Sequence, residues 1–218
     1  ENGRNSKRLV LGESEWIEAK HLTGEYYVSN NIEKQESQNP LNITEEEAWV
    51  IGRYIADGHT RKDLRHDGHH NGSRAWQLIL SVGNSKVEKF RSHIKELHYS
   101  CYKHSDGVYR VVFSNRRLVE IAEGQCGIGA KNKQFGEMII RLPNNLLEIV
   151  LKSYLEGDGC VCGEKFKVTT ISPMLCMTLQ RVVSKLYQKH VCITKHVPKE
   201  YRSLCGRIVH QNPQYGIA

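Results

Sequence analysis

Val50-Ile51-Gly52-Arg53-Tyr54-Ile55-Ala56-Asp57-Gly58 and Leu151-Lys152-Ser153-Tyr154-Leu155-Glu156-Gly157-Asp158-Gly159 align without a gap, and both end in Asp-Gly after a small residue. Small residues recur four apart, Gly52 with Ala56 and Ser153 with Gly157. On helices that spacing lines one face and lets two backbones approach closely. Helices paired in this way would carry Asp57 and Asp158 side by side at their carboxyl ends. Each acid then meets the negative end of a helix dipole and a like charge, a conflict that needs a compensating cation. Hard oxygen ligands of this kind suit Mg²⁺, with Mn²⁺ as a substitute. Ions held there can activate water and neutralise a departing oxygen.

Working outward, Thr44-Glu45-Glu46-Glu47 supplies a capping hydroxyl and first-turn acids, so a helix is expected from about Thr44 to Asp57, stopped by Gly58. A polar hairpin from His59 to Ser73, a strand over 76–82, a helix from Asn84 to about His98, strands near 100–104 and 108–114, and a helix over 115–123 complete one unit. The second half repeats this grammar: a helix from Leu146 to Asp158, a hairpin turning near Gly163-Glu164, a helix from Ser172 to about His190, and strands around 191–197 and 207–211. Its final helix is not visible in the sequence. The expected class is α+β, built from two repeats of helix, hairpin, helix, hairpin. Residues 1–40 read as a remnant and polar linker, 41–143 as the first repeat, and 144–218 as a shortened second.

The two nonapeptides resemble the paired LAGLIDADG, or dodecapeptide, motifs of homing endonucleases, over roughly Ile43 to Gln211. Two motifs on one chain resemble the monomeric pseudo-symmetric members. The resemblance implies an αββαββα fold per half, sheets that straddle the DNA major groove, and metal-dependent cutting of both strands to leave 3′ overhangs. It makes Asp57 and Asp158 the catalytic, metal-binding acids, with Gly58 and Gly159 beside the metals. Arg53 and Lys152 depart from the pattern by placing charge inside the motifs.

Family members also place a basic residue near each scissile phosphate. In the intein-borne members it is a lysine before an Ile-Pro. The matching stretch, Lys131 to Pro143, departs from that pattern, so Lys133 and Arg141 compete for the role. In the second half the candidates are Lys195 and Arg207. For DNA contacts the hairpins offer Arg61, Arg65, Arg74, Gln77, Lys165 and Lys167, since strands can present Arg, Lys and Gln to base edges. Alternation lets about half of them face DNA.

Composition agrees with a polyanionic partner: 31 Lys and Arg stand against 24 Asp and Glu, a formal net charge of +7. No apolar run is long enough for a membrane helix. Seven scattered cysteines, an odd number, suggest free thiols in a reducing, cytoplasmic setting. His66, Asp67, His69 and His70 are zinc-ligand types, but Cys160-x-Cys162 lacks knuckle spacing and no second pair completes a site. The segments Trp16–Val28 and Gly206–Tyr215 resemble the flanks of an endonuclease inserted in an intein. Read from Glu1 to Ala218, the sequence as it stands is not expected to splice. The expected protein is thus a monomeric homing endonuclease of intein origin acting on a long double-stranded target. An inactive DNA-binding or maturase-like module of the same fold, or a piece of a splicing domain, is the alternative.

Overall fold

A computed structural model of the chain describes residues 39–62, 76–162, 165–189, 191–197, 202–204, 207–209 and 212–217. All belong to the unit Gln35–Ala218. The first repeat runs α1 (Glu45–Asp57), β1 (Gly58–Lys62), β2 (Trp76–Val82), α2 (Val87–His93), β3 (Ser100–Lys103), β4 (Tyr109–Phe113) and α3 (Arg116–Cys126). A short α4 (Glu137–Ile140) lies in the connector. There follow α5 (Asn144–Asp158), β5 (Gly159–Cys162), β6 (Lys165–Thr170), α6 (Pro173–Tyr187), β7 (Ile193–His196), β8 (Arg202–Leu204), β9 (Arg207–Val209) and β10 (Gln214–Ile217).

α1 begins as its sequence dictates. The Thr44 hydroxyl accepts from Glu47 N–H at 3.2 Å while Glu47 Oε2 accepts from Thr44 N–H at 3.0 Å, a complete capping box. The helix ends at Gly58, as expected, without a left-handed cap. Gly58 has φ −93° and Gly159 φ −86°, so neither turns left-handed; the chain passes directly from helix into strand. Glycine is needed there for space instead, since a Cβ on Gly58 would lie 2.5 Å from Tyr54 Cα and one on Gly159 2.6 Å from Leu155 O.

Each repeat forms a four-stranded antiparallel sheet, ordered β1-β2-β4-β3 and β5-β6-β10-β7. The two orders are equivalent, with β10 in the place of β4. This corrects the expectation that the strand near 207–211 would complete the second sheet: β9 pairs with β8 in a separate ribbon. β10 takes the position between β6 and β7. Gly216 at its centre leaves room that a Cβ would lose, 2.8 Å from Thr194 Oγ1. The helix expected over 84–98 is also shorter, a 3₁₀ turn followed by α2. The Glu46 carboxylate accepts the N–H groups of Lys95, Glu96 and Leu97, at 2.7–3.1 Å, which draws the chain out of the helix.

One core serves both repeats. α1 and α5 pack along their length, and the apolar faces of the sheets close over them with Leu78, Leu80, Val111 and Phe113 on one side and Val168 and Ile217 on the other. Trp49, Phe90, Tyr99 and Phe113 form an aromatic cluster with centroids 5.3–6.4 Å apart. Among the described residues no helix is long and apolar enough to cross a membrane, and Cys101, Cys126, Cys160, Cys176 and Cys192 are free thiols.

At the crossing, Gly52 faces Ser153 and Ala56 faces Gly157. A Cβ on Gly52 would lie 2.3 Å from Val150 O, and one on Gly157 2.3 Å from Ala56 Cβ. Ser153 Oγ donates to Trp49 O at 2.6 Å, so this hydroxyl is satisfied by the opposite backbone. Gly52→Ala must separate the helices and is expected to cost about 1–3 kcal/mol, as overpacking does. Urea denaturation measures it, with Gly83→Ala, where a Cβ meets nothing within 4 Å, as the neutral control.

Candidate active site and nucleic-acid interface

The helix crossing delivers Asp57 and Asp158 to a common locus. Neither helix has a basic residue in its last turn, so the carbonyl ends accumulate negative potential there. Lost hydration raises the Asp158 carboxyl from its ordinary 3.8 to about 6. The Asp57 charge pushes in the same direction, against the opposing pull of Arg53, Lys86 and Lys133. The two acids therefore sense each other directly.

Three cations answer this charge, each by a different route. Lys133 is buried, its Nζ donating to Tyr54 O at 2.6 Å and Gly58 O at 3.0 Å and lying 3.2 Å over the Tyr54 ring centroid. It thus adds a positive charge to the carbonyl end of α1, where the Tyr54 carbonyl also accepts from the Gly58 N–H. Burial lowers its pKa to about 8, while Cys126, Asp158 and Asp57 draw it upward. The backbone that carries it is held from the second repeat, because Ser172, the N-cap of α6, donates its hydroxyl to Lys133 O at 2.7 Å. Arg53 is also buried, with Nη2 3.2 Å from Asp57 Oδ2 and the guanidinium beside Gly157. Lys86, at the entry to α2, donates from Nζ to Glu156 O at 2.8 Å in the last turn of α5.

Of the basic residues proposed from sequence, the structure brings Lys133 to the acids. It leaves Arg141 exposed at the end of α4, 3.3 Å from Glu137. Arg207 lies on β9, in the separate ribbon, and Lys195 on β7 opposite Tyr215. Sequence reading treated Arg53 only as a departure from a motif and did not single out Lys86. Nothing local marks Lys86, because its partner is 70 residues away. Lys152, the other departure, points outward and pairs with Glu148 at 2.9 Å.

Strand alternation sorts the hairpin residues. In the first sheet Leu78 and Leu80 are buried, so His59, Arg61, Gln77, Ser81 and Arg110 lie on the opposite face. Arg61 is directly across from Gln77. Arg110 is held by Ser81 Oγ at 2.8 Å and Asp106 Oδ2 at 2.9 Å. In the second sheet Lys167 is exposed opposite Cys160, while its neighbour Val168 is buried; Lys165 is in register with Cys162. Arg65 and Arg74 lie outside the described residues, as do His66, Asp67, His69 and His70 of the candidate zinc cluster. The outward faces carry cationic and amide groups that suit phosphate and base-edge contacts.

Among the described residues no group of three or more His, Cys, Asp or Glu converges. A divalent ion here would rest on the two carboxylates, water and substrate oxygens, which is the coordination Mg²⁺ favours. The residues fit such an ion: both acids keep solvent-facing surface, with the Asp57 side chain 39% exposed. The carbonyl of Gly58 already accepts from Lys133, and Gly159 N–H donates to Leu155 O.

The raised carboxyl of Asp158 has a pH signature. Its ionised form is penalised in the folded protein, so the penalty is present above about pH 6 and is relieved as the folded state gains a proton between about 6 and 3.8. Asp158→Asn is expected to be more stable than the wild type at pH 7.5. That advantage should shrink as the pH falls through 6, as thermal melts across the range will show.

No family model matches the chain. It is 26% identical over 192 residues to iron-sulfur cluster assembly SufBD family proteins of Mycobacterium bovis and Mycobacterium tuberculosis, covering 84% of this chain but 22% of theirs. The chain thus spans about a fifth of the length of these curated relatives. Among solved structures it is similar to I-DmoI in complex with DNA and Mn, with TM-score 0.53 and 15% identity over 80% of this chain and 89% of that one. Mesophilic variants of the homing endonuclease I-DmoI superpose with TM-score 0.51 at 12% identity, over 83% and 90%. At such identities the likeness is one of fold, and the chain has the α+β, two-sheet fold of the homing endonuclease I-DmoI.

Proposed function

We infer that this chain is a site-specific, metal-dependent endonuclease that hydrolyses one phosphodiester in each strand of a long DNA duplex and leaves 3′ overhangs. One observation carries the reading: two carboxylates on the ends of abutting helices meet where two cation-bearing sheets converge on the same pair of helices. Asp57 and Asp158 would hold Mg²⁺, or Mn²⁺ in its place. Bound ions supply water activation and neutralise charge on the departing oxygen. Lys133 keeps a positive charge within reach of both acids, and its lowered pKa lets that proton move near neutral pH. Arg61, Gln77, Arg110 and Lys167 would position the duplex and read it.

Both acids on one chain favour action as a monomer. The similarity to a fifth of a longer mycobacterial protein fits a segment carried within a host, and the flanks at Trp16–Val28 and Gly206–Tyr215 support an intein. The free thiols fit a reducing cell interior.

The Arg53–Asp57 ion pair favours a second reading, a DNA-binding module whose acid is already neutralised. The two are separated by incubating the protein with the uninterrupted host-gene sequence in Mg²⁺ and mapping any ends. Asp57→Asn and Asp158→Asn are expected to abolish double-strand cutting with duplex binding nearly intact. Lys133→Met should slow cutting about a hundredfold or more, while Arg141→Ala stays close to wild type. Binding without cleavage, even in Mn²⁺, would establish the inactive module instead.

A further inference from the structure

Arg53 is an unusual group to find in a helix crossing. Its side chain is 4% exposed, and it is the residue of α1 that aligns with Tyr154 of α5. Among the described residues, the buried side-chain polar atoms without a hydrogen-bond partner are Arg53 Nε and the Tyr154 hydroxyl, at these two equivalent positions. An unsatisfied buried group is costly, and a charged one more so. The site retains Arg53 nonetheless. Room for it comes from Gly157 on the opposite helix, where a Cβ would lie 2.9 Å from Arg53 Nη1. Its Nη2 reaches Asp57 Oδ2, four residues on, at 3.2 Å, and its charge also acts on Asp158. Tyr154, in the same place on α5, supplies no such charge to Asp158.

We propose that Arg53 is the resident counter-cation of the Asp57–Asp158 pair, a positioning residue that holds Asp57 and competes with divalent ions for it. This rests on the nuclease reading and deepens it. The guanidinium in contact with Asp57 removes one unit of the negative charge that the carboxylates present to an incoming ion, beyond what Lys86 and Lys133 already offset. A cation entering next to Arg53 is repelled by it and must take Asp57 Oδ2 from its partner. The unliganded protein therefore binds divalent ions weakly, and the deficit is made up only when further anionic oxygens, such as DNA phosphates, join the site. Lys133 also acts on both acids through its charge, but its Nζ hydrogen bonds go to two backbone carbonyls, so the direct hold on Asp57 is Arg53's.

The test is Mn²⁺ binding by the whole DNA-free chain, read as loss of the free-ion electron paramagnetic resonance signal. Arg53→Met keeps the length and apolar stem without the charge, and is expected to bind Mn²⁺ about tenfold tighter or more, given the Coulomb energies of such short contacts. The gain should vanish in Arg53→Met/Asp57→Asn. Arg53→Lys, which keeps the charge, should remain as weak as wild type. Far-ultraviolet circular dichroism and a thermal melt establish that each variant is folded. If folded Arg53→Met binds Mn²⁺ no tighter than wild type, or Arg53→Lys gains as much as Arg53→Met, the proposal is overturned. If Arg53→Met does not fold, Arg53→Gln, which also removes the charge, decides in its place: tighter Mn²⁺ binding supports the role and unchanged binding overturns it. The nuclease reading is judged separately, by whether cleavage depends on Asp57 and Asp158. That dependence can stand while the Mn²⁺ result removes Arg53 from the account.

Discussion

The close crossing of α1 and α5 is the contact from which the rest of the molecule follows. Gly52 opposite Ser153 and Ala56 opposite Gly157 leave nothing larger than a hydroxymethyl group between the backbones. Close approach maximises dispersion contacts along the crossing and lets a serine hydroxyl bond the opposite helix directly. It also brings two carbonyl ends and two aspartates together, which is electrostatically adverse. The geometry that stabilises the core is thus the same geometry that creates a site hungry for cations.

The chain answers that demand with groups drawn from separated parts of the sequence. Lys133 comes from the connector between the repeats, and its backbone is anchored by the cap of α6. A residue of one repeat's margin is thereby positioned by the other repeat against the end of the first helix. Lys86 crosses in the opposite sense, from the first repeat to the last turn of α5. Arg53 is supplied within α1 itself. Burial makes Lys133 a weaker base and Asp158 a weaker acid than usual, so both groups titrate nearer neutrality than they would in water.

The two sheets share one strand order, yet the second carries an extra ribbon, β8–β9, between the strands that correspond to β3 and β4. That insertion accounts for the misplaced final strand: the segment over 207–209 has the β-branched residues of a strand, while Gln214–Ile217 contains a glycine that weakens β propensity. Pairing on both sides with β6 and β7 overrides that weakness, as tertiary context commonly does.

The sequence alone determined the repeat, the two helices, their small-residue faces and the acids at their ends, because each is written in local spacing of 3.6 residues per turn and in capping chemistry. It also held the alternation that puts Arg61 and Gln77 on one face. Only the tertiary structure decided which of Lys133 and Arg141 lies near the acids, because both sit in one connector and what separates them is contact with Tyr54 and Gly58, far away in the chain. The same holds for Lys86, and for the conversion of Arg53 from an apparent defect in a motif to a buried partner of Asp57. Local spacing specifies which face a side chain occupies; which charge it meets there is set by elements that only folding brings together.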